Sequence, residues 1–362
     1  GLKSLKYFFK IGGVNMTMTS RERVLTTFAH EEPDRVPLWF GASQELWEAM
    51  QKKFSLDDEG LKLKLGDDFR PVHARDTGPA LKDSANRLGI KREGIGCGQA
   101  LNHPLARATL KEIHDFPWPD PKWFDASGIK AQVEARKEKY AIMGGLWSPF
   151  WHEANDMLGM ENLFMKMYDD PEAVDAVFEH LSAYYFEANK RIFDTAGKYI
   201  DIFFIGNDLG SQNGPLVSPE LFRRFLLPHF RKLIELGHAY NIKVQLHCCG
   251  GIEPLIPDLI GAGLDALHAV QTTCAGMDLA QLKKNYGKKM VFNGGIDSHH
   301  ILMESTPEVV RERTKEILKI MMPGGGYVAG ASHDTVLLET PVENVLAMCE
   351  TVREFGKYNN NK

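Results

Sequence analysis

The 362 residues are 43% hydrophobic and 25% charged, with a formal charge of -5 at pH 7; a sizeable core can form, and the basic face that nucleic acids require is not indicated. No apolar run approaches the roughly 20 residues that span a bilayer, and the start of the chain lacks the apolar stretch and cleavage site of a signal peptide. The five cysteines, Cys97, Cys248, Cys249, Cys274 and Cys349, are an odd number without a secretory signal, which fits reduced thiols and a cytoplasmic location, with no nucleic-acid or membrane partner.

In chain order, an N-terminal extension of residues 1–17 precedes one domain expected to run from 18 to 357. Short β-rich apolar stretches alternate with longer amphipathic ones, the pattern of βα units around a parallel sheet. Eight strands are predicted: Val36–Phe40, Phe69–Ala74, Ala141–Leu146, Ile200–Ile205, Lys243–Cys248, Ala266–Val270, Met290–Asn293 and Tyr327–Gly330. Pro37 and Pro71 weaken the first two, because proline fits a strand only at its edge or start. Residues 75–140 do not fit one βα unit and are expected to form an insertion over the top of the sheet. A helix is predicted over Pro219–Tyr240, with Ser218 as N-cap and a kink at Pro228. Thr306-Pro307 opens a helix over Glu308–Met321, and Thr340-Pro341 opens the last, Val342–Phe355. No Gly-x-Gly-x-x-Gly turn follows a strand, which argues against a dinucleotide site. A single (β/α)8 TIM barrel accounts for these elements better than an open sheet.

Barrel enzymes keep their chemistry at the C-terminal ends of the strands, so reactive side chains are expected there. At the end of the fifth strand stands Gln245-Leu246-His247-Cys248-Cys249-Gly250-Gly251. Residues two apart on a strand point the same way, so His247 and Cys249 converge while Cys248 faces elsewhere. An imidazole and a thiolate on one face make half of a zinc site, although buried cysteines also serve as small hydrophobes. For a third ligand the candidates are His333, after the eighth strand, and Cys274, after the sixth; His333 is preferred, with Asp334 beside it as a supporting partner. His268 reads as a packed core residue. Asn207-Asp208-Leu209-Gly210-Ser211-Gln212, after the fourth strand, offers Asn207 and Gln212 to a polar substrate and Asp208 for proton handling, although the same residues suit a turn. Asp297 either caps the following helix or faces the cavity. Trp147-x-x-x-Trp151-His152-Glu153, after the third strand, adds aromatic surface and two ionisable groups that could serve a substrate pocket, although a helix-starting loop explains them equally. Asp208, Glu153 and Asp334 are the candidates for proton handling.

With these residues in view, the chain resembles the uroporphyrinogen decarboxylase superfamily from about residue 18 to its end. The resemblance rests on Thr19-Ser20-Arg21-Glu22-Arg23-Val24-Leu25, Glu32-Pro33-Asp34-Arg35-Val36-Pro37, Asn207 to Gln212, Ser218-Pro219-Glu220, His247-x-Cys249-Gly250, Asn293-Gly294-Gly295-Ile296-Asp297 and Pro341-x-Glu343-Asn344. True uroporphyrinogen decarboxylases carry an arginine-rich motif after the first strand to hold the substrate's propionates. Here that position reads Leu38-Trp39-Phe40-Gly41-Ala42-Ser43-Gln44-Glu45, without arginine, which argues against a haem-pathway substrate. The chain is closer to the branch of zinc methyltransferases that exchange methyl groups between a corrinoid protein and a thiol. Their His-x-Cys is matched by His247 and Cys249; their late cysteine, which would fall near Ser332 or His333, is not.

The resemblance therefore implies zinc, a corrinoid carried by a partner protein, and a small methyl donor or acceptor. In such a site the metal acts as a Lewis acid on a thiol or an oxygen. The alternative is a metal-independent decarboxylase or lyase of the same barrel, in which Asp208 or Asp68 would stabilise a protonated intermediate and His247 would be structural. A third reading is a barrel that binds a corrinoid or tetrapyrrole without turnover.

Overall fold

The computed structural model describes residues 17–81, 85–94 and 98–358; the expected N-terminal extension (apart from Thr17) and Cys97 lie outside them. Seven parallel strands form one sheet in sequential order: β1 (Phe69–Pro71), β2 (Ala141–Gly144), β3 (Ile202–Gly206), β4 (Lys243–His247), β5 (Ala266–Val270), β6 (Val291–Ile296) and β7 (Tyr327–Ala331). Helices follow most of the strands and cover one face, and the curl of the sheet turns the other face inward, so strands such as β5 are buried at every residue. The result is an α/β fold with a curled parallel sheet, consistent with a TIM-like barrel.

The expected first strand, Val36–Phe40, is not a full ladder strand. Leu38 forms an isolated parallel bridge with Ala329. Trp39 N–H donates to Ala329 O at 3.0 Å, and Ala329 N–H donates to Pro37 O at 2.8 Å. On the other side Asp68 N–H donates to Leu38 O at 2.9 Å. Pro37 has no N–H to give, and the Leu38 N–H is taken by the Asp68 carboxylate at 2.8 Å, so the ladder cannot extend. The segment nevertheless lies between β7 and the entry to β1.

Two apolar clusters organise the packing. Trp39, Phe69, Met143, Ile202, Ala266, Val291 and Val328 make one, joined by Val24 and Phe28 of the helix Ser20–Phe28. The larger one lies between strands and helices. A polar lock sits beneath the first. Asp68, fully buried, bonds Arg23 Nη1 at 2.7 Å and Arg35 Nη1 at 2.8 Å, and Arg23 also holds Asp34 at 2.7 Å. Asp68 precedes β1 and so stands at the end of the sheet opposite the strand termini where chemistry was expected. The alternative role for Asp68 in a protonated intermediate is corrected by this placement.

The predicted helix over Pro219–Tyr240 divides into Pro219–Leu221, a π turn at Phe222–Leu226 and Leu227–Ala239. Leu227 N–H reaches back five residues to Phe222 O, which widens the turn ahead of Pro228, where no N–H is available. The two C-terminal helices, Pro307–Met321 and Val342–Phe355, lie where the sequence put them. Residues 75–140 contain two small antiparallel ribbons, Arg75–Asp76 with Phe124–Asp125 and Arg92–Glu93 with Gln99–Ala100, and the short helices Leu110–His114 and Ile129–Val133. Leu105 N–H to Met157 O at 2.8 Å ties this segment to the helix Phe150–Leu158. Among the described residues no helix is long and apolar enough to cross a membrane.

Candidate metal centre at the strand ends

Along β4, Val244 and Leu246 belong to the apolar packing between the sheet and the helices. The alternation of a strand puts Gln245 and His247 on the other face. His247 is the last residue of β4 and is 3% exposed. Its Nε2 lies 3.3 Å from Cys249 Sγ, 3.4 Å from Asp208 Oδ1 and 3.8 Å from Asp334 Oδ1. The donor atoms of His247, Cys249 and Asp208 all fall within 4.8 Å of one another.

Two loops are pressed together to make this cluster. Cys249 N–H donates to Asp208 Oδ1 at 2.7 Å, and Leu209 N–H donates to the Cys248 sulfur at 3.2 Å. A side chain on Gly250, whose φ is +89°, would meet the backbone of Gly210 at 2.3 Å, so glycine is required for this approach. Cys248 is fully buried and serves packing, while Cys249 keeps its sulfur beside His247. Trp147 walls the cluster, its ring centroid 5.2 Å from that of His247. Gly206, at the end of β3, makes room for the indole: a Cβ there would stand 1.9 Å from Trp147.

The electrostatics suit a cation. Burial would raise the Asp208 carboxyl, but the imidazoles of His152 and His247 hold it well below the ordinary carboxylate range. Burial likewise opposes ionisation of Asp334, and His333 and His247 hold it low. Burial, followed by the Asp208 carboxylate, pushes the Cys249 thiol far up. One imidazole, one thiol and one carboxylate form a donor set that zinc accepts, and a divalent charge there would offset the repulsion between thiolate and carboxylate. The residues fit the metal.

The other site residues read from the sequence fall in different places. His333 lies next to the cluster, with its ring centroid 5.8 Å from that of His247, and its Nδ1 accepts the Thr335 N–H at 3.0 Å. Cys274 is buried, and its sulfur faces the side-chain oxygen of Gln212 at 3.6 Å. Neither belongs to the three-atom cluster; Asp208, read as a proton carrier, does. Asn207 is buried and engaged at both ends: Oδ1 accepts from Trp151 N–H at 2.9 Å and Nδ2 donates to Ser148 O at 3.1 Å. Its amide therefore holds the loop after β2 rather than a substrate. Gln212 ties its own loop to the carbonyl of Thr273, and Asp297 caps the turn after β6, accepting from His299 N–H at 2.8 Å and His300 N–H at 3.2 Å.

Glu153 also turns away from the cluster. Its carboxylate accepts the Tyr185 hydroxyl at 2.7 Å between two helices, and burial pushes it up to about 7. Between the unfolded value of 4.5 and about 7, the folded chain binds one more proton at this group than the unfolded chain. Stability therefore falls as pH rises through that window, by about 1.4 kcal/mol per unit. Glu153→Gln should flatten this slope, leaving stability near pH 4.5 little changed and raising it by roughly 2–3 kcal/mol at pH 8. Urea titrations across pH check it; parallel slopes for the two proteins would refute the assignment.

His268 and His152 carry contacts that the sequence did not announce. His268 Nδ1 lies 3.0 Å from His247 Nδ1, and His152 Nε2 accepts the Asp208 N–H at 2.8 Å. The signal for His268 was its register, since β4 and β5 pair His247 with His268.

Comparison with known proteins follows the same line. The profile of the family described as uroporphyrinogen decarboxylase (URO-D) matches residues 104–355. The chain is 24% identical over 282 residues to a methylated-thiol–coenzyme M methyltransferase of Methanosarcina mazei, covering 74% of this chain and 70% of that protein. It is 25% identical over 300 residues to the methylcobamide:CoM methyltransferase MtaA of Methanosarcina barkeri, covering 74% and 78%. Uroporphyrinogen decarboxylases are also among the relatives. A solved methyltransferase from Methanosarcina mazei shares the fold, with a TM-score of 0.70 at 18% identity, covering 93% of this chain and 99% of that one.

Proposed function

The chain belongs to the uroporphyrinogen decarboxylase family, a family of enzymes, and from that premise we propose that it is a zinc-dependent methyltransferase acting with a corrinoid. The observation that carries this reading is the convergence of His247, Cys249 and Asp208 at the strand ends. The names of the methyltransferase relatives support corrinoid-linked methyl transfer. We further assign residues 18–357 to one closed eight-stranded barrel, with 36–40 as its first strand and 75–140 as an insertion near the strand ends.

His247 Nε2, Cys249 Sγ and an Asp208 oxygen would hold the zinc, with His333 beside them as a neighbour of the set. When bound, zinc supplies Lewis acidity that favours a substrate thiolate or weakens a methyl–oxygen bond. The protein's own groups do the rest. Trp147 offers an apolar wall that excludes water beside His247. We assign the proton that leaves a substrate thiol to the Asp334 carboxylate on position alone, because its Oδ1 lies 3.8 Å from His247 Nε2. The methyl group passes between a small methylated compound or thiol and a corrinoid on a partner protein. Against a haem-pathway decarboxylase stands the segment 38–45, which has no arginine to meet a polycarboxylate.

The test is an absorbance assay of corrinoid methylation with zinc-loaded protein and, in turn, methylated thiols, methoxyarenes and methylamines, together with the reverse reaction from methylcobalamin to thiols. Conversion with one class, abolished by a chelator and restored by zinc, is expected. A folded, zinc-loaded protein inert toward every class would overturn the proposal.

A further inference from the structure

Three buried side-chain atoms inside the ring of strands have no hydrogen-bond partner among the described residues: Gln245 Nε2, His268 Nε2 and Asn293 Oδ1. Each residue is 0% exposed. Their grouping follows from register. β5 pairs His268 with His247 on one side and with Asn293 on the other, and Gln245 precedes His247 by two residues, so it shares that face. Asn293 Nδ2 donates to Gln245 Oε1 at 3.2 Å, which uses half of each amide. If both amides were turned over, one donor and one acceptor would still be left over. His268 is likewise half satisfied, by its 3.0 Å contact with His247.

Polar atoms this deeply buried are almost always paired, with protein or with an internal water. Two neutral imidazole nitrogens 3.0 Å apart share a single proton. If His247 commits its Nε2 to a metal, the shared proton must sit on its Nδ1 and be accepted by His268 Nδ1. The proton of His268 then lies on Nε2, one of the three atoms without a partner.

We propose that His268 is a positioning residue that fixes the tautomer and ring angle of His247, and that an internal water held by Gln245, His268 and Asn293 completes the chain. The water accepts the N–H of His268 and that of Gln245 and donates to Asn293 Oδ1. The sequence His247, His268, water, Asn293–Gln245 thus runs from the candidate metal centre into the ring of strands, using groups that the methyl-transfer scheme leaves idle. Trp39 packs edge-on against His268, centroids 4.5 Å apart, and holds the ring in the plane that this contact needs. The inference rests on the zinc reading for its consequence, because the tautomer matters only if Nε2 serves as a ligand.

Zinc affinity of the whole protein, measured by competition with a chromophoric chelator, separates the two ideas. The wild-type protein should bind one zinc; failure to do so overturns the zinc reading and the positioning role with it. His268→Leu should weaken zinc binding about tenfold to a hundredfold, the usual cost of losing the partner of a ligating imidazole. His268→Gln, which keeps an acceptor oxygen, should recover most of that loss. If wild-type protein binds zinc and both variants bind it as tightly, the zinc reading stands and the positioning role is refuted. Asn293→Leu probes the far end should His268→Leu fold poorly, and it should weaken zinc binding less than His268→Leu; unchanged affinity there removes the water from the chain. A crystal structure at high resolution should show that water within hydrogen-bond distance of all three atoms, and a dry site would refute it directly.

Discussion

His247→Ala should yield a folded protein that purifies without stoichiometric zinc and transfers methyl groups about a thousandfold more slowly. The imidazole Nε2 sits within 3.3–3.4 Å of both Cys249 Sγ and Asp208 Oδ1, so its loss leaves two anionic donors without the neutral ligand that joins them. A Lewis acid contributes several kcal/mol at the transition state, and about 4 kcal/mol corresponds to roughly three orders of magnitude in rate. Cys249→Ala should behave alike. His333→Ala and Cys274→Ala should lose far less metal, since neither belongs to the three-atom cluster. Metal content by plasma emission spectrometry, alongside thermal melting, checks all four. Full zinc retention by both His247→Ala and Cys249→Ala would place the metal elsewhere and remove the basis of the proposed chemistry.

Asp68→Ala should be the most destabilising single change at the opposite end of the sheet. The carboxylate is fully buried and serves Arg23, Arg35 and the N–H of Leu38. Its removal leaves a buried guanidinium half paired and a backbone donor without an acceptor. Breaking one side of such a buried pair costs about 3–5 kcal/mol. A lower urea midpoint with unchanged zinc content is the expected result, because Asp68 lies at the far end of β1 from the candidate metal cluster. A drop in zinc affinity larger than the drop in stability would instead revive a catalytic role for Asp68.

The alternation of β and α segments was legible over the chain from residue 141 onward because parallel strands buried on both faces read as short continuous apolar runs. Ala266–Val270 was found with its bounds intact. The Val36–Phe40 segment was harder to place, since whether it forms a ladder depends on where the Leu38 N–H goes, and its acceptor is thirty residues away. At the site, His247 and Cys249 were visible as a two-residue period at a strand end. The place of Asp208 beside them was not, because it depends on the approach of the loop after β3 to the loop after β4, through Gly210 and Gly250. Periodicity describes one strand at a time; contacts between neighbouring loops depend on register. The same reason explains Asn207, whose amide looked available in sequence but is engaged by Trp151 and Ser148. For Glu153 the direction of the side chain was hidden: it follows β2 closely, but the helix turns it toward Tyr185.

The missing side chain at Gly206 decides how the wall beside His247 can be reshaped. Because the indole of Trp147 occupies the volume that a methyl group at 206 would need, position 206 can grow only if position 147 shrinks. Exchanging bulk between them would shift the aromatic surface from the loop after β2 to the end of β3, both beside His247. Substrate width could thus be retuned without touching a donor atom.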